Sequence, residues 1–171
     1  GSGMGSGQQS MVEAVTAQGG AVPRDLAAFI QRVKTLAAVA GENYYYSFPV
    51  RSKNKTTGGW VDAPPIEGPS ISLAQDLARE YGNCAVDTRV FDVGDRWVIY
   101  ARFTDYERGF SQVRPYLQRK GQESIGGKDR GRQEDAAFQI GVSKAIRNVV
   151  VKSLDTFADM MFEEARSGLT K

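Results

Sequence analysis

The chain reads as an α+β protein in which a three-stranded antiparallel meander, with a possible additional edge strand, is backed by helices in the order α-β-α-β-β-β-α. Three observations point there. Two stretches repeat apolar residues at helical spacing and end at glycines, "VPRDLAAFIQRVKTLAAVAG" and "IEGPSISLAQDLAREYGN". Three consecutive alternating runs, "CAVDTRVFD", "WVIYARFTD" and "FSQVRPYLQRK", are joined by short turns. A long amphipathic stretch, "FQIGVSKAIRNVVVKSL", follows them.

In the first helix Pro23 suits the opening turn and Gly41 the position just past the end. Leu26, Phe29, Ile30, Val33, Leu36 and Ala37 make its apolar stripe. "ENYYYSFPVRSKNK" is rich in strand-forming aromatics, but Pro49 confines it to an edge or an interrupted strand. "TTGGWVDAPP" reads as a turn-rich tip, so a flexible loop is expected near 52–65. Ser70 or Ser72 caps the second helix, and Gly82 ends it. Val93–Arg96 and Tyr106–Gly109 are the two turns of the meander. Pro115 argues for an edge or a bulge in the third strand. "GQESIGGKDRGRQED" is too polar to pack, and a second flexible loop is expected near 119–133. The long helix is expected from about Glu134, and "DTFADMMFEEARSG" continues or re-forms it. Residues 1–10 are Gly/Ser-rich and read as a disordered cloning scar. Residues 22–167 read as one domain, which this length suits.

Composition removes several chemistries. The 171 residues include no histidine and one cysteine, Cys84. A Ser-His-Asp or Cys-His enzyme is excluded, and so is an intrachain disulfide. No apolar run approaches the roughly 18 to 20 residues of a membrane span. A cytoplasmic protein with no membrane partner is expected. Gln122–Asp129 nearly matches a P-loop, but Gln122 replaces the first glycine and Asp129 stands where a hydroxyl should hold Mg²⁺. Nucleotide hydrolysis does not fit. Asp105 and Glu107, at a strand end, are the candidates for a metal-dependent nuclease. Asp92 and Asp95 lie at the opposite end of the central strand, so the plainer reading is acids solvating turns. No metal ligand set and no cofactor are expected.

Charge is the better lead. The net charge is +2, yet nine Lys/Arg face four Asp/Glu from Arg114 to Lys152. Arg51, Lys53 and Lys55 form a second cluster without an acid among them. After Ser153 acids outnumber bases. On the long helix, Lys144, Arg147, Asn148 and Lys152 lie away from Phe138, Val142, Ala145, Ile146 and Val149, while Ile140 and Val151 fall among the cations. Such a face is either solvated, or it lines a groove or a subunit contact. Tyr45 and Tyr116 stand near cationic clusters, a mixture that single-strand binding uses, with cations on phosphates and rings on bases.

The stretches "YYYSFPVRSK", "IEGPSISLAQDLAREYGNC", "YARFTDYERGFSQVRP" and "AFQIGVSKAIRNVVV", spanning residues 44 to 165, resemble a group of tailed-phage proteins. Through the order of elements and the final helix, the chain is similar to the phage single-strand annealing proteins of the RecT, Redβ and Erf kind. The resemblance implies a non-enzymatic protein that uses no ATP, forms rings or helical filaments, and holds a strand by its backbone with bases free to pair. The expected function is ATP-independent single-stranded DNA binding and annealing in phage recombination, in the host bacterial cytoplasm. Arg51, Lys53, Lys55, Arg114, Arg119, Lys120, Lys144, Arg147 and Lys152 are expected on the backbone, and Tyr45 and Tyr116 on the bases. The alternatives are the nuclease using Asp105 and Glu107, or a phage assembly protein whose basic face meets an acidic partner.

Overall fold

A computed structural model describes residues 25–121 and 130–168. Helix α1 (Leu26–Ala40) runs into a 3-10 turn (Gly41–Tyr44) and a hairpin of β1 (Tyr45–Lys53) and β2 (Trp60–Pro69). Helix α2 (Ile71–Tyr81) precedes β3 (Cys84–Asp92), β4 (Arg96–Asp105) and β5 (Phe110–Arg119). Helices α3 (Arg130–Ser153) and α4 (Asp155–Gly168) follow. The expected α+β class and element order stand, with one strand more than the sequence revealed.

The caps explain the boundaries. Asp25 accepts the Ala28 amide at the start of α1. Ser70, not Ser72, accepts the Leu73 amide and caps α2. Gly82 closes α2 at φ 66°, in the left-handed region that glycine enters without a Cβ penalty. The long helix begins four residues ahead of Glu134, at Arg130. It breaks at Leu154, after which α4 continues the hydrogen-bonding pattern through Ala158 N–H to Leu154 O.

The meander has the order β3-β4-β5, antiparallel throughout. Pro115 sits on the edge strand β5 opposite Tyr100, without a register break. Alternation along β4 turns Ile99, Ala101, Phe103 and Asp105 inward, all fully buried. Helix α3 lies across this inner face, and α1, α2 and α4 complete the helical layer. One continuous cluster joins Phe29 and Val33 of α1, Leu73 and Leu77 of α2, Phe103 of β4, Val149 of α3 and Met161 of α4. Cys84 is half-buried, its thiol donating to the Ala78 carbonyl, as a small packed side chain does.

The segment expected as a loop near 52–65 is instead the distal half of the β1–β2 hairpin. Arg51 pairs with Asp62 and Lys53 with Trp60 across it, and residues 54–59 make the turn. A bulge lies between Phe48 and Val50, where Pro49, Pro64 and Pro65 interrupt the ladder. Of the loop expected near 119–133, residues 130–133 are helical, and 122–129, which hold the P-loop-like segment, lie outside the described residues.

Gly141 sets how closely α3 approaches the sheet. A Cβ there would stand 2.8 Å from Gln118 Cβ and 2.9 Å from Ile99 Cδ1. Alanine would gain about 1 kcal/mol of helix propensity and lose it again to overpacking. Gly141→Val adds two methyl groups beyond that Cβ, and we expect it to destabilise the fold by about 2 kcal/mol in a urea titration.

Candidate nucleic-acid interface

The β1–β2 hairpin stands beside α3 and leaves an open groove of about 450 Å³ between them. Tyr46 and Phe48 line the hairpin wall, and Ile140, Lys144 and Arg147 line the helix wall. Ser70 and Ile71, at the N-terminus of α2, close one end. The α2 amides point positive charge at that end.

The hairpin wall is built by register. Tyr46 lies opposite Gly68 and Phe48 opposite Ile66. A Cβ on Gly68 would fall 2.5 Å from the Tyr46 hydroxyl, so glycine lets the ring lie flat across the hairpin. The Arg147 guanidinium sits 5.1 Å from the centre of that ring. This cation-π contact, with the bond from Arg147 Nε to Asn148 Oδ1, holds the cation in place. Phe48 follows Tyr46 on the same face at 5.3 Å and is 59% exposed, so its ring is open to a ligand.

Of the expected backbone contacts, the groove gathers Lys144 and Arg147. The others lie elsewhere. Arg51 and Lys53 alternate with Val50 and Ser52 along β1, so they point to the hairpin face opposite Tyr46 and Phe48. Arg51 also pairs with Asp62 at 3.7 Å. Lys55 is in the exposed hairpin turn. Lys152 is exposed near the C-terminal end of α3, and the next residue, Ser153, bonds to Gln112 of β5. Arg114 lies two residues along β5 from Gln112. Arg119 is on the outer face of the sheet opposite Arg96. Lys120 pairs with Asp92 at 2.7 Å and lies over the Trp97 ring.

The two expected stacking rings lie outside the groove. Tyr45 packs edge-on against Phe162 of α4 at 5.9 Å, and Tyr116 pairs with Ile99 on the inner face. Both are half-buried and pack against the core. The rings that line the groove are their neighbours in alternation, Tyr46 and Phe48. Sequence placed aromatics and cations together but not the parity of the strand. Ile140 lines the groove, while Val151 turns to the core.

Asp105 is structural. It is fully buried; Oδ1 accepts the Glu107 and Arg108 amides, and Oδ2 accepts the Tyr81 hydroxyl and Arg108 Nε. Its lone pairs are thereby engaged. Among the described residues no group of three acids or cysteines is placed to hold a metal ion. Burial pushes the Asp105 carboxyl up, but the bonds from Tyr81 and Arg108 outweigh it and hold the group below the usual carboxylate range. Tyr81 is correspondingly raised to about 12, by burial first and then by its bond to Asp105. Among the described residues no helix is long and apolar enough to cross a membrane. No family model, curated protein or solved structure matches the chain.

Proposed function

We propose that the groove between the hairpin and α3 binds single-stranded DNA, and that the protein anneals complementary strands without ATP, as an oligomer in phage recombination in the host cytoplasm. The observation that carries this reading is the convergence of two cations and two rings from distant parts of the chain on one open groove. Lys144 and Arg147 take phosphates, releasing counterions and lowering the repulsion between two strands brought together. Tyr46 is engaged by Arg147, so Phe48 is the ring left for a base. One wall grips backbone while the other offers a stacking surface of no sequence preference.

A gel shift with a 40-nucleotide single strand, titrated with salt, tests the reading. Binding is expected to weaken steeply as salt rises, and complementary strands to anneal faster with protein and no nucleotide. Phe48→Ala is expected to cost about 1–3 kcal/mol of binding, the usual worth of one base–ring stack, with the salt slope unchanged. Binding that is insensitive to salt, or no binding at low salt, would remove the proposal.

A further inference from the structure

The outer face of the meander carries cations of one kind and open rings. Arg89, Arg96, Arg102 and Arg119 lie on it by register, and Asp87 is the one acid among its strand positions. Asp87 holds Arg102 through two hydrogen bonds of 3.0 and 2.9 Å, and Asp95 of the neighbouring turn holds Arg96. Arg89 and Arg119 are exposed and make no ion pair among the described residues. The choice of arginine has chemical content. A guanidinium meets phosphate through two parallel bonds and stacks on flat groups, which an ammonium cannot do.

Tyr100 stands in the middle of this face. Its direct partners are Arg89 across β3 and Pro115 across β5. Phe91, the next outward residue of β3, meets it edge to face at 5.8 Å and braces the ring. Phe91 is 51% exposed and Tyr100 42%. Tyr100 also lines a depression of about 140 Å³ with Asp87, Arg89, Arg102 and Val113. Side chains directly opposite across two strands start about 5 Å apart, so a flat group on Tyr100 leaves its anion within reach of Arg89. A nucleotide brings both, one base and one phosphate. A protein partner would have to supply an acid and a flat group separately.

We propose that the outer sheet face is a second site for single-stranded nucleic acid, with a base on Tyr100 and its phosphate on Arg89. It is weaker than the groove, because Arg96 and Arg102 are already engaged by acids, and it fills after the groove does. The two sites share no residue, and α3 and the sheet stand between them. Strands on opposite sides of one chain do not pair in place. The second site keeps a further strand at high effective concentration near the first. This adds to the function proposed above, and its test reads the two sites separately.

The test titrates each protein at low salt with an oligothymidylate of about eight nucleotides, a length typical of one site, and counts strands per chain by calorimetry. The sheet variant is Arg89→Ala with Tyr100→Ala, both exposed positions, and the groove variant is Lys144→Glu with Arg147→Glu. Circular dichroism melting verifies that each folds. Wild type is expected to take one tight strand and then a weaker one. The sheet variant should keep the tight strand and lose about tenfold or more in affinity for the second, the worth of one stack. The groove variant should keep only the weaker strand. An iodouridine strand cross-linked to the groove variant by ultraviolet light should map to Phe91 or Tyr100. Saturation of wild type at one strand overturns the proposal and leaves the face to a protein partner. A sheet variant that keeps both affinities, or a cross-link that maps off this sheet, overturns it equally. A groove variant that binds like wild type would strike the groove reading, while loss of the second strand in the sheet variant would still uphold this one.

Discussion

Replacing both groove cations, Lys144→Glu with Arg147→Glu, is expected to weaken single-strand binding by more than 100-fold while the protein stays folded. A hydrogen bond from a cation to phosphate contributes about 1.5–3 kcal/mol, so loss of two accounts for at least 100-fold. The introduced carboxylates add repulsion. With two phosphate contacts gone, the salt slope should fall by about 1.4 on a single strand. The stability cost is small, because the two side chains are half-buried and Arg147 loses one ring contact worth about 1 kcal/mol. Arg119→Glu is the control, on the outer sheet face. A similar loss from Arg119→Glu would mean that diffuse charge, and not the groove, binds DNA.

Asp105→Ala is expected to lower the melting temperature by about 6–12 °C. The change strips the Tyr81 hydroxyl and two backbone amides of their buried acceptor, a loss of about 3 kcal/mol. A domain of this size shifts by about 2–4 °C per kcal/mol. The network also gives a pH signature. Asp105 is held below its ordinary value of about 3.9, so its stabilisation is fully present above that pH and is lost as pH falls through the folded value. Wild type should therefore lose more melting temperature between about pH 6 and pH 3 than Asp105→Asn, which cannot titrate. Equal acid sensitivity in the two proteins would show that other carboxylates govern it.

Much of the scaffold was legible because local chemistry and tertiary structure agree. Gly82 and the two turns of the meander ended elements where expected, and the three alternating runs became β3, β4 and β5. Strand β2 was not legible. Three prolines and two acids in "WVDAPPIEGP" hid it: the first six residues read as a tip and the last four as the lead-in to α2. They are tolerated because this sheet has two strands and therefore no central one, so each strand has a free edge where a missing N–H goes unnoticed. Asp105 looked like a solvated turn acid because nothing in its neighbourhood marks Tyr81, 24 positions earlier, as the hydroxyl that buries it. In the groove, the helix wall was readable as cations with Ile140 among them. The hairpin wall was not, since a strand's parity relative to a helix depends on packing and shifts every ring by one place.

The groove also depends on the order in which the chain is made. Its hairpin is steadied by residues translated long after it: Phe162 against Tyr45 and Arg166 against Glu67, with Phe157 against Phe29 fixing α1 below. At 5–20 residues per second, the hairpin leaves the ribosome on the order of ten seconds before α4. Through that interval the hairpin lacks the α4 side of its anchorage. A nascent chain halted at Ser153 would hold the Arg147–Tyr46 contact but lack those of Phe162 and Arg166 at the hairpin base. The anchorage of the hairpin on the helical layer is thus completed only when α4 emerges and meets Tyr45 and Glu67.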